Sequence, residues 1–152
     1  MENIWSIVIV EGAIYKDDKW LMIKRSENEE HAPGIISFVG GKLENEGDEQ
    51  DVLEHTLKRE IVEEVGIEIE DDVKYIESGS FISDGGDPIV EVVFLCRYKS
   101  GQPYCVDTDE VAEVYWMSID EIIHNKKTPI WVKRSIQKAE KMRASGASGD
   151  GS

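Results

Sequence analysis

The sequence predicts an α+β fold: an α/β/α sandwich with a mixed sheet, one central helix and one C-terminal helix. Two observations carry this. Runs rich in β-branched and aromatic residues stand on both sides of a single stretch with helical periodicity, residues 51–65, which stops at Gly66. A second amphipathic stretch, 129–142, closes the chain.

In order, residues 3–15 read as a strand, the polar Lys16-Asp17-Asp18 as a turn, and 20–25 (WLMIKR) as a second strand completing a hairpin. A polar loop over 26–34 ends in Pro33-Gly34 and leads to a short strand, 35–39, followed by Gly40-Gly41. Residues 42–50 are acidic and irregular. In 51–65, Leu53, Leu57, Ile61 and Val65 recur every fourth position and form one apolar stripe. Strands near 73–82 and 89–98 flank the turn-rich segment 83–88. A short strand at 111–117 precedes a brief helix capped by Ser118. The expected domain is 1–143, with 144–152 a disordered low-complexity tail.

At 152 residues and 40% apolar composition, the chain suits one domain with a real core. Acidic residues outnumber basic ones 32 to 17, a formal net charge of −15, which excludes a nucleic-acid polymer as the expected partner. A small anionic substrate remains accessible if divalent cations stand between carboxylates and ligand. No apolar run is long enough to span a membrane, and the N-terminus lacks a basic start and a cleavage site. A cytoplasmic location is expected. Cys96 and Cys105 form no metal-binding pattern, Cys96 reading as a core residue; His31, His55 and His124 are scattered and read as surface or capping residues.

The chemistry concentrates in residues 59–67, REIVEEVGI. Glu60, Glu63 and Glu64 stand at i, i+3 and i+4, so their carboxylates share one helix face, and like charges so close are destabilising unless neutralised. Mg2+, a hard cation with oxygen ligands, neutralises such a set, and Mn2+ can substitute. Glu64 lies between the directions of Leu53 and Leu57, at the edge of the buried stripe, where an unpaired carboxylate is expensive. The plainer reading is a solvated acidic face with an Arg59–Glu63 pair.

The glycine pair, acidic loop, helix, glycine stop and following aliphatic residue together resemble the Nudix hydrolase family. Its signature is G-x5-E-x7-R-E-U-x-E-E-x-G-U, with U aliphatic. The second half matches from Arg59 to Ile67; the first half carries a four-residue insertion within 45–50, so Asp48, Glu49 and Asp51 compete for the first acidic position. The resemblance covers most of 3–125. It implies metal binding by Glu60, Glu63, Glu64 and the Gly41 carbonyl, a loop-supporting role for Arg59, and a basic substrate contact at Arg25. It also implies an extra carboxylate or general base at Glu110, with Glu113 in reserve. Dimerisation is common among relatives.

The implied reaction is metal-dependent hydrolysis of a phosphoanhydride in a nucleoside diphosphate linked to another moiety. A MutT-like nucleoside triphosphate pyrophosphohydrolase is the leading expectation. ADP-ribose hydrolases carry a proline near 79–82, where this chain has Gly79-Ser80-Phe81-Ile82 and its nearest proline is Pro88. The coenzyme A motif would place an arginine at Glu30 and a proline at Val39. The alternatives are an ADP-ribose or nucleotide-sugar pyrophosphatase, a catalytically decayed nucleotide-binding module, and an acidic interaction protein with a chance motif. Phe81, Trp5, Trp20 and Trp116 are candidates for stacking on a base, with core packing the commoner fate of such residues.

Overall fold

The computed structural model describes residues 6–29, 32–44, 47 and 49–149. Trp5, Glu30, His31 and Asp48 lie outside them. The chain runs β1 (Ile7–Lys16), β2 (Lys19–Arg25), β3 (Ile36–Ser37), β4 (Val39–Lys42), α1 (Val52–Val65), β5 (Glu68–Ile69), β6 (Lys74–Ile82), β7 (Pro88–Ser100), β8 (Val111–Met117), α2 (Ile119–His124) and α3 (Ile130–Gly149).

The expected hairpin forms: β1 and β2 pair antiparallel across Asp17-Asp18, with Asp17 left-handed at φ 55°. β1 also pairs in parallel with β7, Ile9 opposite Glu91 and Ala13 opposite Leu95. β4 pairs with β1, β6 and β5 with β7, and β3 and β8 with β2, all antiparallel, so the sheet is mixed as expected.

Both faces of β7 are apolar because both are covered. Val92, Phe94 and Cys96 face α1 and pack with its Leu57, Ile61 and Val65. The alternate residues, Val93 and Leu95, join Trp20, Met22 and Ala13 under Ile122 of α2 and Val132, Ile136 and Ala139 of α3. The sheet is thus the middle layer of the predicted sandwich.

α1 follows the sequence expectation to within a residue. Gly66, at φ 69°, closes it in a left-handed C-cap whose N–H donates to the Val62 carbonyl. Asp51 stands at the N-cap at φ 53° without a side-chain cap bond. Ser118 caps α2 as expected, in a reciprocal capping box with Glu121.

The C-terminal helix departs from expectation: α3 continues to Gly149, through most of the segment read as a disordered tail beyond 143. A helix already nucleated and packed through Ala139 extends at the cost of one residue per added hydrogen bond, and Ala144 and Ala147 are strong helix formers. Among the described residues, no helix is long and apolar enough to cross a membrane.

Candidate active site

The stripe that buries Leu57, Ile61 and Val65 fixes the rotation of α1 and thereby the exposure of its three glutamates. Glu64 is buried, only 7% exposed, whereas the Glu63 side chain is 58% exposed and Glu60 lies between. β4 runs close to the helix: a Cβ on Gly41 would collide with the Glu60 carboxyl, and one on Gly40 with the β1 backbone. Glycine is required here for close approach. The backbone N–H of Gly40 donates to the Glu64 carboxyl.

Glu110 arrives from the chain before β8. That chain is tied to the end of α1 by bonds from Tyr104 N–H to the Val65 carbonyl (3.1 Å) and from Val106 N–H to the Glu64 carbonyl (3.0 Å). The Glu110 N–H donates to the Asp107 carbonyl, and its own carbonyl accepts from Ser26 N–H at 2.9 Å. The Glu110 carboxyl is thereby held in hydrogen-bond contact with Glu64. Glu113, the reserve candidate, is exposed on β8, paired in register with Lys24 of β2.

Two of these carboxyls, Glu64 and Glu60, are raised above the usual carboxylate range. Burial, the hydrogen bond and charge of Glu110, and the charge of Glu60 push Glu64 up to about 9, against a smaller opposing effect of the Gly40 N–H. Glu60 is also raised, by burial and by Glu63, with Arg59 pulling the other way. Arg59 reaches Glu60 at 3.7 Å and Glu63 at 3.8 Å. Of the acidic residues competing for the first position of the motif, Glu49 contacts His55 at 3.1 Å and Asp51 occupies the helix N-cap. Neither stands within ion-pair distance of Arg59 among the described residues.

The donor set suits a hard divalent ion: oxygen ligands only, converging carboxyls, and a buried one whose neighbours are themselves acidic. Among the described residues, no group of three or more His, Cys, Asp or Glu side chains is placed to hold a metal ion together.

On the α3 side of the sheet a cavity of about 790 Å3 opens, and Glu11 in its lining feels the charge of Glu64. Arg25 and Phe81, both singled out in the sequence, line it. Arg25 also pairs with Glu29 at 3.4 Å. Trp20 and Trp116 do not serve it: Trp20 is fully buried with its Nε1–H on Glu140, and Trp116 packs edge-on against Tyr98.

Sequence reasoning missed Glu11, Glu91 and Trp131, which also line the cavity. Glu11 and Glu91 are each the one charged residue in an apolar strand core, IVIVEGAIY and PIVEVVFLC, and that isolation was the available signal. Burial and Glu91 raise Glu11 well above the usual carboxylate range, with Arg25 opposing. Trp131, half exposed at the start of α3, is hidden in sequence by an ordinary amphipathic pattern.

The comparisons with known proteins bear on the family and the fold. The NUDIX domain family profile matches residues 7–139. The Uncharacterized Nudix hydrolase YfcD of Escherichia coli K12 is 30% identical over 129 residues, covering 78% of this chain and 67% of its own. Among solved structures, the MutT Nudix hydrolase of Burkholderia pseudomallei superposes with a TM-score of 0.74 at 24% identity, covering 88% of this chain and 98% of that one. The MutT protein of Methanosarcina mazei Go1 gives 0.74 at 19%, covering 94% and 99%. With a matching profile over most of its length and the family's carboxylate helix packed on the expected sheet, the chain belongs to the Nudix hydrolase family.

Proposed function

We propose that the protein is a divalent-metal-dependent pyrophosphohydrolase that converts a nucleoside triphosphate to its monophosphate and pyrophosphate. The observation that carries this reading is the convergence of Glu64, Glu60 and Glu110 against the glycine strand β4, together with a cavity large enough for a nucleoside on the α3 side of the sheet.

Glu60, Glu63, Glu64 and the Gly41 carbonyl are the groups that would hold Mg2+ or Mn2+. When bound, such an ion neutralises phosphate charge and acidifies a coordinated water. The chain's own part is positioning and proton transfer. Glu64, locked by the Gly40 N–H and by the packing of α1, keeps its carboxyl fixed while Glu110, anchored through its backbone to Ser26 and Asp107, takes the proton of the attacking water. Water oxygen bonds to one phosphorus of the anhydride, the bridging P–O bond breaks, and the leaving phosphate departs with the electron pair. Arg25 supplies positive charge at the cavity wall.

The test is chromatographic product analysis with Mg2+ or Mn2+ against nucleoside triphosphates, ADP-ribose, nucleotide sugars and coenzyme A. Monophosphate plus pyrophosphate from a triphosphate, lost in Glu64→Gln, supports the reading. Turnover of ADP-ribose or a nucleotide sugar instead would keep the mechanism and replace the substrate. Nucleotide binding without turnover would favour a binding module.

A further inference from the structure

Glu110 is exposed and stands outside any helix or strand, yet its carboxyl meets the buried Glu64. A long side chain on an irregular segment samples many conformations, so a fixed meeting of this kind requires a fixed backbone beneath it. The segment is tied down at both ends. On one side, the N–H groups of Tyr104 and Val106 donate to the last carbonyls of α1, and the Tyr104 ring lies where a Cβ on Gly66 would stand. On the other, the Glu110 carbonyl accepts from Ser26 N–H at the end of β2. These ties bring the segment to α1 without deciding which way Glu110 points. That falls to the turn over residues 107–110.

The turn is organised by Asp107. Its Oδ1 accepts the N–H of Asp109 at 3.1 Å, an Asx turn. Its backbone carbonyl accepts from Glu110 N–H at 3.2 Å and from Val111 N–H at 2.9 Å. Three consecutive N–H groups therefore converge on one residue. The carbonyl bonds are open to any residue at this position, but the bond to Asp109 needs a short side chain ending in an acceptor oxygen. It does not need a charge. Asp109, Glu110 and Glu113 already crowd negative charge into this stretch, so asparagine would supply the same acceptor with less repulsion.

We propose that Asp107 is a positioning residue of the site: its Asx turn aims Glu110 and so holds that carboxyl against Glu64, where it can take the proton of the attacking water. This rests on the reading above that Glu110 is the proton acceptor. Asp107 acts through Glu110 alone. Reaction geometry is sensitive on this scale, a misplacement of about 1 Å being enough to cost about 10²-fold in rate.

The test compares Asp107→Ala, Asp107→Asn, Glu110→Gln and the double variant Asp107→Ala/Glu110→Gln in triphosphate hydrolysis with Mg2+. Asp107→Ala should lower kcat by roughly 10- to 100-fold with KM nearly unchanged. Asp107→Asn keeps the acceptor and should recover most of that loss. In the Glu110→Gln background, Asp107→Ala should cost nothing further, because the group it aims is already gone. A readout free of turnover is amide hydrogen exchange in the metal-free protein. Protection of the Glu110, Val111 and Ser26 N–H groups should fall in Asp107→Ala and persist in Asp107→Asn, with α1 unaltered in both. Full activity of Asp107→Ala beside an impaired Glu110→Gln would overturn the positioning role and leave the hydrolase standing. Equal losses from Asp107→Ala in both backgrounds would do the same, since the residue would then act independently of Glu110. An Asp107→Asn variant as slow as Asp107→Ala, with protection intact, would show that the charge and not the turn is used. Wild-type activity in Glu110→Gln would remove the proton-acceptor reading and this inference with it.

Discussion

The two faces of the sheet each carry a helix, yet they are built in opposite ways. On the α1 face the helix packs tightly, with Leu57, Ile61 and Val65 fully buried, and the charged groups gather at the margin of that apolar seam. On the α3 face Val132, Ile136 and Ala139 seal only part of the sheet, and the rest opens into the cavity floored by Glu11 and Glu91. Rigid packing holds a carboxylate in one place, which suits chemistry; an open, mixed wall admits a ligand, which suits selection. A substitution on the α1 face should therefore change the rate of the reaction, and one on the α3 face should change which substrate reacts.

The largest expected effect is at Glu64. Glu64→Gln should lower kcat by about 10³ or more, the scale of a lost catalytic acid–base or charge-stabilising group. It should not lower the melting temperature of the metal-free protein, because it removes a buried carboxyl surrounded by acidic neighbours. Calorimetry and steady-state kinetics on the same preparation decide this; a variant as active as the wild type would erase the distinction between the faces.

Next come the two halves of the core. Ile61→Ala and Ile136→Ala both empty fully buried positions and should each cost about 2–5 kcal/mol in urea denaturation. At temperatures where both remain folded, Ile61→Ala should lower kcat the more, since α1 carries the carboxylates. Equal kinetic effects would argue that the rigidity of α1 is not what positions Glu64.

The pH dependence of stability tests the electrostatics. Glu64 is raised to about 9 from 4.5, so between those values the folded metal-free protein holds a proton that the unfolded chain has lost. Stability should fall as pH rises through that window, with Glu11 and Glu60 acting in the same sense. Melting curves at pH 6 and 8.5 should show a shallower slope in Glu64→Gln and a larger gain from Mg2+ in the wild type at the higher pH. The opposite sign applies to Glu77 and Glu140, whose pKa values are lowered: their stabilisation is lost only as pH falls below the ordinary carboxylate range.

How much of this was legible follows the same division. The α1 face could be read because its information is local: four apolar residues at helical spacing, three glutamates at i, i+3 and i+4, a glycine stop and a glycine pair all lie within residues 40–67. Glu110 was harder, since only the backbone ties from Tyr104 and Val106 to α1 bring it to Glu64. The α3 face assembles β1, β2, β6, β7 and α3 around one cavity, and no spacing rule joins Glu11, Glu91 and Trp131. The C-terminal extension of α3 went unread because a low-complexity composition does not reveal a helix already nucleated upstream.

Two smaller effects complete the series. The Lys138–Glu77 pair, 2.7 Å apart with the lysine largely exposed, should contribute about 1 kcal/mol or less in a double-mutant cycle. Ser118→Ala removes the α2 cap and should cost about 1 kcal/mol, with no change in kinetics.

The most direct test of the division between the faces is kinetic analysis of Glu64→Gln and Trp131→Ala side by side on one hydrolysed triphosphate with Mg2+. A collapse of kcat with little change in KM is expected in Glu64→Gln, and a raised KM with kcat largely retained in Trp131→Ala. Retained turnover in Glu64→Gln, or a loss confined to kcat in Trp131→Ala, would contradict it.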